Sequence, residues 1–199
     1  MIYTTLNRLL EKNPHESDWL EFIKTRGGES ASRCEEFKLA DVLKTNSVSD
    51  VTWALYNCHP EGKRLVSEFA LWNLEKIEGL LTGPMYSNVA SNVLIFMREG
   101  LEFGVELTAL REALVATHGV WSVNRAINEA VPLVEDAILA EESAVYSHYA
   151  ALRLLGGKGT REDVFNLMVS VAYAVEKSGL QSEEVFSAEQ EDKLRSYLV

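Results

Sequence analysis

Apolar residues recur at three- and four-residue spacing along most of the chain, the period of an amphipathic helix. Ile2, Leu6, Leu9 and Leu10 give the first segment, Ile2 to Lys12, a helical face. Asn13-Pro14 stops it and starts another helix, because Asn caps well and the missing N–H of Pro would have no partner at a first helical position. The second helix carries Trp19, Leu20, Phe22 and Ile23 and ends at Gly27-Gly28. Residues 26–36 are polar and glycine-bearing and predict a loop. The helical pattern returns at Lys38, with Leu39, Val42 and Leu43 as a short apolar face. Ser47-Val48-Ser49-Asp50 resembles a capping box before Val51, Trp53, Ala54 and Leu55, since the Ser hydroxyl and a side chain three residues on satisfy each other's orphan amides.

His59-Pro60 resets the chain, with His59 as a turn residue at an N-cap position. The stretch from Pro60 to about Leu81 then has the broadest apolar stripe, including Leu65, Val66, Phe69, Trp72, Ile77 and Leu80. Gly83-Pro84 opens the next helix, and Gly100 with Gly104 predicts a break near residue 100. Leu107, Leu110, Leu114 and Val115 follow, closed by Gly119. Trp121 to about Leu155 is alanine-rich and helical except at Val131-Pro132, because a proline inside a helix costs about 3 kcal/mol. Gly156-Gly157 ends that stretch, and Thr160-Arg161-Glu162-Asp163 is a second box leading into Val164, Leu167, Met168 and Val171. Ser187-Ala188-Glu189-Gln190 is a third, before a short terminal helix with Leu194, Tyr197 and Leu198. No segment sustains the alternation of a strand. The predicted class is all-α, with about nine helices joined by short links. Residues 1–199 form a single helical domain, either an irregular bundle or a short stack of antiparallel helical hairpins, with 1–119 and 120–199 as the sub-lobes into which it would divide.

Composition narrows the function classes. Hydrophobic residues make up 47% and charged residues 25%, as in globular chains, and 12 Gly and 4 Pro are too few for an all-β sandwich of many short strands. No apolar run approaches the roughly 18 residues that cross a bilayer, and the first residues lack the basic and apolar regions of a signal peptide. Nineteen Lys and Arg against thirty Asp and Glu leave a net charge of −11, without any basic run to neutralise phosphates. Direct nucleic-acid or membrane binding is therefore not expected; a basic protein partner is, and association with a second copy stays open. The two cysteines, Cys34 and Cys58, point to free thiols in the cytoplasm.

Candidate chemistry is sparse. Gly156-Gly157-Lys158-Gly159-Thr160 has the residue types of a phosphate cradle, but a helix C-cap running into an N-cap explains each of them. His15, His59, His118 and His148 do not fall at metal-ligand spacing, so neither metal nor cofactor is expected. Cys58, between Asn57 and His59, reads as a small half-buried hydrophobe rather than a nucleophile. Trp19, Trp53, Trp72 and Trp121 lie on apolar stripes and read as core. Paired carboxylates such as Glu183-Glu184 belong on solvated faces, because neighbours on a helix do not face each other. Glu35, Glu36, Glu141 and Glu142 are the candidates for contact with a partner. The alternative is a small helical enzyme whose site assembles from His118, His148, Glu141, Glu142 and Tyr146, with Glu141, Val145 and His148 on one helical face.

Asn13-Pro14-His15-Glu16-Ser17-Asp18-Trp19, followed by a leucine-rich helix and Asp50-Val51-Thr52-Trp53-Ala54-Leu55, resembles the start of uncharacterised helical proteins of phages and prophages. A Cys-Glu-x-x-Trp-like element recurs in those proteins, and His15 stands here in the Cys position. Arg64-Leu65-Val66-Ser67-Glu68-Phe69-Ala70-Leu71-Trp72 looks like their following helix and, less closely, like a helix of immunity proteins from bacterial toxin systems. The resemblance covers about residues 1–81, rests on hydrophobic and tryptophan positions, and carries no catalytic residues. It implies a non-enzymatic, acidic, helical interaction protein that inhibits or neutralises a host defence or toxin protein. An acidic mimic of nucleic acid is a further alternative, disfavoured because the carboxylates are dispersed among Lys and Arg.

Overall fold

A computed structural model describes residues 1–12, 19–28, 32–81, 84–130 and 136–199. The described residues form nine α-helices, two short 3-10 segments and one pair of two-residue strands, an all-α architecture. They cluster into two compact units, one of Met1–Val66 with Glu191–Val199 and the other of Ser67–Gln190.

The first unit is assembled from short pieces. Strand β1 (Tyr3–Thr4) pairs antiparallel with β2 (Phe37–Lys38), Tyr3 opposite Lys38 and Thr4 opposite Phe37. Helix α1 (Leu6–Lys12) therefore starts later than the apolar spacing predicted, and Ile2–Thr4 is extended. Buried Ile2 and Thr4 alternate with exposed Met1 and Tyr3, the period of a strand. The Ile2 amide donates to Leu198 (3.0 Å), and the Ile2 carbonyl accepts from Leu39 (2.9 Å). Helix α2 (Leu20–Thr25) follows fully buried Trp19 and ends, as expected, at Gly27 and Gly28, both at positive φ. Leu39–Lys44 is a 3-10 segment that buries Leu39 and Val42, three residues apart, on one side. Helix α3 (Val48–Cys58) begins with the expected capping box, both Ser47–Asp50 bonds being formed. It packs on α1 and on the 3-10 segment. His59 is the C-cap of α3, and its Nδ1 accepts from the Glu61 amide.

Helix α4 (Gly62–Ile77) continues into a 3-10 turn at Glu78–Leu80, starting two residues later than the sequence predicted. Helices α5 (Pro84–Phe103), α6 (Leu107–Ala130), α7 (Asp136–Leu155) and α8 (Arg161–Lys177) build most of the second unit. α7 lies against α5, α6 and α8, and its buried Ala140, Ala144, Ala150 and Ala151 present no long side chains to hold those neighbours away. Of two expected breaks, the one near residue 100 falls at Gly104 and the one at Gly119 is absent. α5 runs through Gly100, whose missing Cβ makes room for Leu155, and breaks at Gly104 (φ +92°). α6 runs straight through Gly119, where nothing lies within reach and the flanking turns keep the helix going. α7 ends at Gly157 (φ +68°), where Lys158 donates to Arg153 and Gly157 to Leu154, and α8 starts on the Thr160–Asp163 box. The cap-to-cap reading of residues 156–160 thus accounts for their geometry.

The third expected box is corrected. Ser187 and Gln190 lie inside α9 (Glu183–Leu198), whose first turn is capped by Ser182, with its hydroxyl accepting from Val185 (3.4 Å). Gln190 is instead turned inward, donating to Asn73 Oδ1 (2.7 Å) and to the Met168 carbonyl (3.3 Å). Phe69, Trp72 and Phe186 form a parallel stack with 6.0 Å between successive centroids. The expected boundaries at Asn13-Pro14, Gly83 and Val131-Pro132, and His15 of the resemblance, lie outside the described residues.

Candidate functional site

The side chains named from the sequence fall in different settings. In the first unit Glu35 and Glu36 are exposed, and Glu35 stands 3.4 Å from Arg26, whose guanidinium lies over the Phe37 ring. In the second unit Glu141 and Glu142 are half-buried on α7. Partial burial raises the Glu141 carboxyl above its ordinary value. The face carrying Glu141, Val145 and His148 is turned largely inward: Val145 and His148 are both buried. His148 Nδ1 donates to the Ala144 carbonyl (2.7 Å), which leaves Nε2 in the core without a hydrogen-bond partner among the described residues. Burial draws the imidazole down to about 4, with the Ala144 bond acting weakly the other way. No hydrogen bond joins His148 to Glu141, Glu142, His118 or Tyr146 among the described residues.

His118 and Tyr146, by contrast, meet in one cluster. His118 (exposed, on α6) packs edge-on to Trp121 at 5.5 Å and against Tyr149 at 5.6 Å. Trp121 lies 5.2 Å from Tyr146, and Tyr146 stacks on Tyr149 at 6.5 Å. Helical spacing explains the alignment: 142, 146, 149 and 153 form one stripe of α7, and 118 and 121 one edge of α6. Trp121 was expected in the core but is only half-buried, as are Tyr146 and Tyr149. The cluster is tied to α8 by two polar links. Asn166 donates to the Tyr146 hydroxyl (3.0 Å), and Arg153 reaches the Asp163 carboxylate at 2.9 Å while its guanidinium sits 5.9 Å from the Tyr149 ring centroid. The Asp163 bond, first among several causes, holds the arginine firmly protonated. Sequence reasoning missed Tyr149, Arg153, Asn166 and Glu162. The stripe on α7 was there to be found, but the links to α8 depend on packing.

In the first unit, a cleft of about 280 Å³ lies between α1 and α3, lined by Arg8, Glu11, Lys12, Asn57 and Cys58. The Cys58 thiol donates to the Arg8 carbonyl (3.6 Å), and burial raises it against the weaker opposing pull of Thr4, Lys12 and Arg8. That thiol is protonated near neutrality and a poor nucleophile. Among the described residues no three His, Cys, Asp or Glu side chains are grouped to hold a metal ion, and no helix is long and apolar enough to cross a membrane. The chain matches no family model, no curated protein and no solved structure.

Proposed function

We propose that this chain is a non-enzymatic helical module that binds another protein through the aromatic face of α6 and α7. The observation that carries this reading is the cluster of exposed His118 with half-buried Trp121, Tyr146 and Tyr149, braced by Arg153 and Asn166. Tryptophan, tyrosine and arginine are enriched among the residues that dominate the energetics of protein interfaces, and the two aromatics offer large contact area at low cost in side-chain entropy. The net charge of −11 favours a basic partner. His148, with one nitrogen committed to its own helix and the other in the core, supports a structural role over an acid–base one. The resemblance of residues 1–81 to phage and prophage proteins directs the search to a toxin or defence protein of a bacterial host, which the module would inhibit or neutralise.

The test is capture under native conditions at low salt from a bacterial lysate, followed by titration of the retained protein. A specific partner whose affinity falls about tenfold or more with Trp121→Ala supports the reading. No specific partner, or one indifferent to that substitution in a variant that keeps its helical circular dichroism, would overturn it.

A further inference from the structure

The second unit builds one arginine-binding arrangement from its own residues. Arg153 lies over the Tyr149 ring, 5.9 Å from its centroid, and is held by the Asp163 carboxylate at 2.9 Å. Further parts of such an arrangement lie nearby on the same two helices, which run antiparallel, Arg153 meeting Asp163 and Tyr146 meeting Asn166. One turn back on α7, Tyr146 stacks on Tyr149; one residue back on α8, Glu162 precedes Asp163. Asn166, one turn beyond Glu162 on α8, donates to the Tyr146 hydroxyl, which fixes the ring beside that helix. Burial raises that hydroxyl above its ordinary value, and the charges of Glu162 and then Asp163 add to the effect. Tyr146 is half-buried and Glu162 exposed, and no cation among the described residues lies over that ring or pairs with that carboxylate.

We infer that Tyr146 and Glu162 receive an arginine side chain of the partner protein, with its guanidinium stacked on the phenol ring and paired with the carboxylate. Arginine suits the site better than lysine, since its planar, weakly hydrated head both stacks and forks onto a carboxylate. Val169, on the same side of α8 as Asn166 and 43% exposed, offers apolar contact to the residues flanking that arginine. The negative charge of the chain as a whole selects a basic segment. This inference deepens the interaction reading above and rests on it.

The test uses the full chain with labelled tyrosine rings, titrated at low salt with a short peptide of alternating glycine and arginine and with its lysine counterpart, followed by nuclear magnetic resonance. The Tyr146 ring signals are expected to move saturably, with the lysine peptide about fivefold weaker. Glu162→Gln should weaken the arginine peptide about tenfold. Glu184→Gln, the same change of charge at the exposed start of α9, should change it less than about twofold. Tyr146→Phe keeps the ring and should retain binding, whereas Tyr146→Leu should lose it. Equal losses in the two glutamate variants, equal affinity for the two peptides, or no response at Tyr146 would reduce the effect to diffuse attraction and overturn the site. A captured partner unaffected by Glu162→Gln would likewise remove the arginine site while leaving the interaction reading in place.

Discussion

The two units keep their order by different means. In the first, helices of 7, 6 and 11 residues are too short to persist alone. They are fastened by backbone bonds between segments distant in sequence: Ile2 to Leu198, Leu39 to Ile2, Asn7 to Arg33, and the Tyr3–Lys38 pair. In the second, helices of 20, 24, 20 and 17 residues satisfy their own backbones, and side chains join them. The alanine seam of α7, the Phe69–Trp72–Phe186 stack and the Gln190–Asn73 bond are its fastenings. A fold can thus be knit through its main chain in one region and through its side chains in another, and the two kinds of joint fail under different insults.

The largest expected effect comes from attacking the side-chain joints. Phe186→Ala removes a fully buried ring from the stack and should cost about 3–5 kcal/mol in a urea titration followed by tryptophan fluorescence. An unchanged midpoint would break the account of the second unit.

Acid should loosen the second unit next. The folded pKa of His148 lies near 4, below its ordinary 6.5, so from pH 6.5 downward the unfolded chain takes up a proton that the folded chain refuses. Stability from this residue is intact above pH 6.5, falls by about 3 kcal/mol on the way to pH 4, and changes no further below that. His148→Leu should flatten that part of the stability–pH curve, and amide exchange should report the acid loosening in the second unit. An identical slope in the variant would remove the histidine from the account.

The sharpest test is one substitution made in both units, read as a difference between them. A Cβ on Gly62 would collide with the Leu55 carbonyl oxygen, a main-chain atom at the end of α3 that cannot give way. A Cβ on Gly156 would meet the tip of the Leu110 side chain, which can rotate aside. Gly62→Ala should therefore cost about 3 kcal/mol and Gly156→Ala about 1 kcal/mol, as read by thermal unfolding. Equal costs would erase the distinction between the two kinds of joint.

The same distinction decides what the sequence made legible. The Ser47–Asp50 and Thr160–Asp163 boxes were readable because each closes within four residues. Ile2–Thr4 was not, because the strand that pairs with it begins at Phe37 and no local pattern announces so distant a partner. Ser187-Ala188-Glu189-Gln190 misled because the residue types of a box also occur inside a helix, where Gln190 serves a buried asparagine. Gly119 misled in the opposite sense: low helix propensity was outweighed by long, favourable flanks. At the candidate site, His118, Glu142 and Tyr146 were named from the sequence. The association of His118 and Tyr146 with Trp121 and Tyr149, and the links to Asn166 and Asp163, became visible only when α6, α7 and α8 were set side by side.

The contrast between the two thiols has a practical use. Cys34 is exposed, whereas Cys58 is partly covered and held in its protonated form by burial. A maleimide dye at mildly acidic pH should therefore attach at the loop before β2 and leave α3 unmarked. A single fluorophore placed this way gives a handle for anisotropy measurements without touching α6, α7 or α8.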